Sequence, residues 1–343
     1  MAANIHLQQY LNAADRLPLS YSKLDSGTAE FRYRTHRFLI IGADTPINDS
    51  SSATITRYKH RSQRILAEKG LTVPRFEKCS TEKEFVNRLK QFDCDIVVKP
   101  TDGIGGKGVS IKPQSPEDKR EAFRIAKAES KTGRVLIEQY IEGSHYRILI
   151  LDGKMIAAAR RYPASVTGNG SDTIDSLINS YNLACKHDSS RAPIRVDSEV
   201  ANCLREQNIA ITDIPAAGVR IELRRNCNLS TGGTTAECTD SVPEVAIREA
   251  IAAAGSLCLR FAGVDIIYTP GGEAFINEVN CNPGMRIHYY PSSGRTIDVA
   301  RYVLQAILDE YDRMDLQLLA APKTALDHVE VLEGLTDTVN DSL

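Results

Sequence analysis

An α+β fold built on antiparallel sheets is predicted for this chain, on three observations. Short β-branched runs alternate with helical stretches along most of the length. Neighbouring strand runs are joined by turns too short for crossover helices, as in HYRILILDGKMIAAARR with Asp152-Gly153 at its turn. At 343 residues the chain exceeds the size at which one core stops growing, so two or three lobes are expected. Hairpins rather than βαβ units argue against a doubly wound parallel sheet.

The first fifty residues hold one good strand, Arg37 to Ala43. The polar tract INDSSSAT then caps a helix expected over 54–69, which Gly70-Leu-Thr-Val-Pro74 stops. A second helix over 81–92 opens with Thr81 and Glu84 at capping-box spacing. Strands over 95–99 and 109–112 flank a glycine-rich loop. Ser115 followed by Pro116 starts another helix, and 135–139 is a strand. After the hairpin at 152–153 come helices near 173–187 and 198–208, a strand over 219–225 and a helix over 243–261. A hairpin of 264–268 and 273–280 turns through Thr269-Pro-Gly-Gly272, and a helix over 296–312 follows. The tail from about 320 is expected to be weakly anchored.

Composition narrows the function classes. A hydrophobic content of 42% with 25% charged residues is that of a globular protein. A net charge of −2 gives no bulk attraction to nucleic acid or anionic membrane, and neither is expected as a partner. The opening MAANIHLQQYLNAADRLPLSYSK lacks a basic segment followed by an apolar one, so it does not read as a secretory signal. No apolar run approaches the roughly 18 residues of a membrane span. Eight cysteines without any C-x-x-C pair suggest reduced thiols in a cytoplasmic protein rather than disulfides or a zinc cluster.

Two constellations carry chemistry. In VVKPTDGIGGKGVSI, residues 97–111, far more glycine is placed between two strands than a hairpin needs. The loop is neither G-x-x-x-x-G-K-[ST] nor G-x-G-x-x-G opening a helix. Its backbone N–H groups can nevertheless lie over a polyphosphate, with Lys99 and Lys107 neutralising the oxygens. A solvated surface loop is the ordinary alternative. Downstream, Asp265 lies on one strand of a hairpin, and Glu278 and Asn280 share a face of its mate. Two carboxylates and an amide make an all-oxygen set suited to Mg²⁺ and unsuited to zinc. The ordinary alternative there is a half-exposed hairpin with surface acids.

These segments, in this order, together with VLIEQYIEGSHYRIL, resemble the motifs of the ATP-grasp superfamily. AAARRYPASVTGNGSDTIDSLI, NLSTGGTTAECTD and NPGMRIHYYPSSG are similar to the ATP-grasp module of cyanophycin synthetase and that of bifunctional glutathione synthetases. The resemblance spans residues 53 to 312. It implies a short N-terminal unit (1–53), a small lobe with the glycine loop (54–142), a large lobe with the metal and substrate site (143–319) and a tail (320–343). No segment resembles the second, muramyl-ligase-like enzyme domain of cyanophycin synthetase. This chain alone is therefore not expected to run a complete polymerisation cycle.

The resemblance also implies roles. Lys59 and Lys99 match phosphate-contacting lysines, and Gly103, Gly105, Gly106 and Gly108 the loop closing over the phosphates. Glu138, Gln139, Tyr140 and Ile141 match the hinge whose backbone reads adenine. His145 stands where an acid usually meets the ribose, with Glu142 as an alternative. Asp265, Glu278 and Asn280 match the ligands of two Mg²⁺ ions, for which Mn²⁺ can substitute. The implied reaction is ATP-dependent carboxylate–amine ligation through an acylphosphate, joining amino acids or short peptides. Such chemistry brings two anions together, so arginines with planar, two-pronged donors are needed. Arg147, one of Arg160 and Arg161, and Arg286 are candidates, with Lys107 beside the transferred phosphate and Asn228 and Ser230 as further ligands. Arg161 is preferred to Arg160, and His288 is read as a satisfied packing histidine. A kinase on the same scaffold and a non-catalytic ATP-binding module are the alternatives, and a homodimer is left open.

Overall fold

The structure, a computed structural model, describes residues 4–103, 106–185 and 191–320. Asn4 caps helix α1 (Ile5–Ala14), its side chain accepting from the His6 amide. Strands β1 (Ser20–Lys23), β2 (Thr28–Tyr33) and β3 (His36–Ile41) form an antiparallel sheet where one strand was expected. The alternation in TAEFRY buries Ala29, Phe31 and Tyr33, and the first two pack against α1 and the last helix of the chain. That packing partner is too distant in sequence for any local pattern to reveal.

The helix expected over 54–69 is two helices, α2 (Ser50–Thr56), capped by Asp49, and α3 (Lys59–Glu68). Tyr58 between them is extended, and the Lys59 amide donates to the Thr101 carbonyl instead of to its own helix. A tertiary bond to the base of the glycine loop thus overrides local helix preference.

Strand β4 (Phe76–Cys79), helix α4 (Glu82–Leu89), β5 (Ile96–Pro100), β6 (Ser110–Ile111), α5 (Pro116–Glu129) and β7 (Val135–Gln139) follow. The Thr81–Glu84 capping box and the Ser115 cap are both present. The four strands form a sheet in the order β4-β7-β5-β6, with Phe85 and Phe123 from the helices packed on Val98 and Ile137. The expected strand over 109–112 shrinks to two residues; Lys112 adopts a left-handed conformation that ends the extended run, although its amide still donates to the Ile96 carbonyl.

The hairpin of β8 (Ser144–Leu151) and β9 (Lys154–Tyr162) turns at Asp152-Gly153 as expected. A small insertion follows, made of β10 (Ser165–Thr167), α6 (Ile174–Cys185), α7 (Ser198–Glu206) and β11 (Arg220–Glu222). It has its own core around Ile178, Leu204 and Leu223. The end of the helix expected near 187 lies outside the described residues. The strand expected over 219–225 stops at 222, where Arg224 turns inward to bond Asp197, Glu199 and the Arg195 carbonyl.

Strand β12 (Thr234–Glu237), helix α8 (Glu244–Ser256), β13 (Phe261–Tyr268), β14 (Ala274–Asn280), α9 (Arg286–Tyr289) and α10 (Val299–Ala320) complete the described chain. The helix expected to reach 261 ends at 256, since Cys258 is left-handed and Phe261 enters the sheet. Helix α10 continues to 320 rather than stopping at 312, and the expected tail beyond it lies outside the described residues.

The second large sheet has the order β12-β9-β8-β13-β14, each neighbour antiparallel. One face carries Tyr146, Ile148, Val264 and Ile266 against the alanines of α8. The opposite face is divided. Leu149, Leu151, Ala157 and Phe261 pack against the N-terminal unit and α10. The remainder of that face is polar, and polar groups on an inner face need partners or a ligand.

Candidate active site

A cavity of about 560 Å³ is lined by residues from the four-stranded sheet, the glycine loop, the polar half of the five-stranded sheet and α1. It gathers almost every candidate from the sequence. Lys59, Lys99, Gly103, Gly106, Lys107, Glu138, Gln139, Tyr140, Ile141, His145, Arg147, Arg161, Asn228, Ser230, Asp265, Glu278, Asn280 and Arg286 all line it. Gly108 does not line it; a Cβ there would lie 2.8 Å from Glu129 Cβ, so the loop packs closely on α5 at this point. Gly105 lies outside the described residues.

Strand register explains the polar face. Arg147 on β8 stands opposite Asp265 on β13, which stands opposite Glu278 on β14. A bulge at Asp265/Ile266 shifts the β14 register, and Asn280 lies opposite Gly263, one step further along the same face. Asp265 is gripped from two sides. Arg147 donates through Nε to Oδ1 and through Nη2 to Oδ2 at 2.9 Å, and Arg161 Nη1 lies 3.3 Å from Oδ2. Burial alone would raise the Asp265 pKa, but the two guanidinium charges overturn it and hold the group down at about 2. Glu278 is half-buried, and desolvation pushes its pKa up, yet the pKa is lowered because Lys59 opposes this as the main charge and hydrogen-bond partner.

The Arg147 guanidinium passes over Gly263. A Cβ at that glycine would sit 3.2 Å from Arg147 Nη1 and 2.5 Å from Pro283 Cβ, so only glycine admits both. Arg160 is on the other face, where it donates to Ser144 Oγ and lies over Tyr162. Strand alternation thus decides between the two neighbouring arginines in favour of Arg161.

Helix α3 ties the two sheets together. Lys59 reaches Glu278 on β14, and Gln63, one turn on, donates to Glu138 on β7. Lys99 also binds Glu138, at 2.5 Å, with both side chains almost fully buried. Gln63 was missed from sequence, although its i,i+4 spacing from Lys59 is a usable signal. The Glu138 carboxylate is therefore a structural clamp for Lys99. The Gln139 and Tyr140 amides donate to the Arg75 and Asp95 carbonyls, so the hinge tract has fewer free N–H groups than expected.

The glycine loop is moored at its base. Asp102 accepts from Ser130 Oγ and the Thr132 amide. At its tip Gly106, with φ +78°, lies so close to Asn228 that any side chain would overlap its amide. Lys107 is exposed on this loop, whereas Lys99 is buried behind it. The two lysines should therefore fail differently. Lys107→Ala is expected to lower turnover with an unchanged melting temperature. Lys99→Ala leaves Glu138 buried without its cation and is expected to cost about 3 kcal/mol of stability. Thermal melts of the two variants decide this; equal melting temperatures would contradict the clamp.

His145 lines the cavity, while Glu142 is exposed and is not among the lining residues. His288 corrects an expectation. It is fully buried as a packing residue should be, but neither ring nitrogen has a hydrogen-bond partner. Burial, then the charges of Arg147 and Arg161, bring its pKa down to about 3. The unfolded chain takes up this proton near pH 6.5, so the contribution is complete above that pH and lost as pH falls towards 3. His288→Leu is expected to reduce the acid loss of stability between pH 7 and pH 4 by about 3 kcal/mol, measured by urea melts of both proteins. Equal acid losses would show that the ring is protonated in the fold.

The cavity holds Lys59, Lys99, Lys107, Arg147, Arg161, Arg225 and Arg286 against Glu138, Asp265 and Glu278. Such an excess of cations suits a polyanion. The donor set also fits a hard divalent cation. Asp265, Glu278 and Asn280 offer side-chain oxygens on one face, the ligand type such a cation takes. A carboxylate has about four lone-pair directions, so the Arg147 and Lys59 contacts do not exhaust Asp265 and Glu278. His6, Arg225, Asn226, Cys227, Asn282 and Gly284 also line the cavity and were not singled out from sequence. Arg225 pairs with Glu206 of the insertion, a contact across the fold with no local signature.

Residues 72–183 match the ATP-grasp domain of prokaryotic glutathione synthetase. The chain is 33% identical over 282 residues to a cyanophycin synthetase of Geminocystis herdmanii, covering 78% of this chain and 32% of that one. It is 32% identical over 271 residues to the glutathione biosynthesis bifunctional protein of Enterococcus faecalis, covering 75% and 36%. The chain thus spans about a third of the length of these relatives. The crystal structure of a bifunctional glutathione synthetase from Pasteurella multocida superimposes with a TM-score of 0.64 at 24% identity, over 90% of this chain and 44% of that one. Among the described residues no helix is long and apolar enough to cross a membrane. The chain therefore has the ATP-grasp fold, carries a match to the ATP-grasp domain over residues 72–183, and is similar to the corresponding parts of cyanophycin synthetase and bifunctional glutathione synthetase.

Proposed function

We propose that this chain is an ATP-dependent carboxylate–amine ligase, joining amino acids or short peptides and releasing ADP and phosphate. The observation that carries the reading is the row Arg147–Asp265–Glu278 facing one cavity with the lysines and the glycine loop. A pure nucleotide binder has no use for carboxylates and two-pronged cations side by side.

Along β8 and β13 the residues run from His145, near the hinge, through Arg147 and Asp265 to Gly263 and Pro283. ATP would lie with its base at the 139–141 hinge, its ribose at His145 and its phosphates under Gly103–Gly108, beside Lys99 and Lys107. Asp265, Glu278 and Asn280 would hold Mg²⁺, which when bound supplies charge neutralisation to the phosphate oxygens. Arg147, Arg161 and Arg286 would orient the acceptor carboxylate at the γ-phosphate, and Asn228 and Ser230 would contact the transferred group. Holding two anions in line among fixed cations removes most of the penalty of bringing them together. The eight free thiols support a reducing, cytoplasmic setting.

A screen of amino acids in pairs, reading phosphate release with mass-spectrometric product detection, identifies the substrates. Isotope transfer then tests the reaction class. With the acid labelled with ¹⁸O in its carboxylate, the released phosphate is expected to carry one label per amide formed. Unlabelled phosphate points to hydrolysis, and a phosphorylated product accumulating without amine points to a kinase. Nucleotide bound with no turnover for any pair leaves a non-catalytic module.

A further inference from the structure

Two histidines line the cavity, at opposite ends. His145 stands on the hinge side of Asp265. His6, on α1 of the N-terminal unit, stands beyond Gly263 and Pro283, with Cε1 and Nε2 towards Gly284. A Cβ at Gly284 would lie 3.4 Å from Cε1, an ordinary packing distance, so the ring stands directly against this glycine. The helix cap fixes the ring's origin, since the His6 amide donates to Asn4 Oδ1 at 2.9 Å.

Helix α1 has hydrogen-bonding capacity that the protein does not use, at His6 on the cavity and at Gln9 behind it. His6 Nδ1 is buried without a partner. Three residues on, Gln9 is buried with neither amide atom partnered. Buried polar groups in this state are uncommon and call for an explanation such as a ligand. The position fits one component of the proposed reaction. Phosphates and acid are drawn to the lysines and arginines, whereas an ammonium group is repelled by them. An amine therefore needs an uncharged base near the acyl carbon, at the edge of the cation cluster. Burial, then the nearby Arg286 charge, lowers the His6 pKa, which keeps the ring in its unprotonated form.

We propose that His6 meets the amine substrate and takes its proton. The inference rests on the ligase reading above. In the step, one proton of the ammonium group passes to His6 Nε2, and the lone pair so freed forms the bond to the acyl carbon. The carbon–oxygen bond to phosphate breaks with its electron pair leaving on phosphate, and the second proton lost by nitrogen as the amide forms leaves with that phosphate. The N-terminal unit is then part of the active site, and the acceptor is an amine that enters beside α1.

The test separates two acceptors. His6→Asn keeps a polar side chain without a basic nitrogen, and His6→Gln is a second such variant should the first not fold. Each is compared with the wild type using the acid–amine pair from the screen, and using the same acid with hydroxylamine, which is largely unprotonated at neutral pH. Amide formation is expected to fall about 100-fold in kcat, while hydroxamate formation and the KM for ATP change by less than about twofold. Equal losses with both acceptors, or no loss with either, overturn the role of His6. A wild-type protein that makes neither amide nor hydroxamate with any acid refutes the ligase reading itself.

Discussion

Glu278→Gln should lose turnover by about a thousandfold while the protein still folds. Glu278 sits in the middle of the polar face, opposite Asp265 and bonded to Lys59 from α3. The amide keeps the volume and an oxygen, so the sheet register survives. It removes one of the two anions that a divalent cation would need and leaves Lys59 without its counter-charge. Phosphate release should collapse at ordinary Mg²⁺, and raising Mg²⁺ or replacing it with Mn²⁺ should recover part of it. Circular dichroism and a thermal melt check the fold. A variant with wild-type rates would remove Glu278 from the site altogether.

Arg147→Lys is the second large effect. Arg147 spans both oxygens of Asp265 with a planar fork, over the one residue without a side chain in its way. Lysine keeps the charge but presents a single point donor, so Asp265 loses its two-pronged hold and the acceptor carboxylate loses its orientation. Transfer is expected to fall about 100-fold or more, with ATP affinity changed by less than about threefold, since the base and ribose ends are untouched. Phosphate-release kinetics beside nucleotide titration separate the two. A large loss of ATP affinity with normal turnover would place Arg147 on the nucleotide instead of the acid.

Parts of this protein were legible because they are local. The Thr81 and Ser115 caps, the Asp152-Gly153 turn and the 135–139 strand follow from propensities acting over a few residues. The two-residue spacing of Glu278 and Asn280 fixes a shared face whatever the rest of the chain does. The order of motifs pointed to the ATP-grasp fold for the same reason.

What remained hidden depends on distant contacts. The single helix expected over 54–69 is broken because Lys59 bonds to Thr101, and the three-stranded N-terminal sheet exists because α10 covers it. Arg161 was already preferred from sequence, but its contact with Asp265 needed the registers of β9 on β8 and of β8 on β13. Glu138 became a clamp only when α3 brought Gln63 to it. By itself, then, the sequence determined the antiparallel α+β class, the glycine-rich loop and the shared face of Glu278 and Asn280, each set by neighbours in the chain. Which cations hold those acids, and that His6 from the first helix closes the far end of the cavity, was decided by tertiary packing, because a side chain's partner across a fold is chosen by distances that no local spacing encodes.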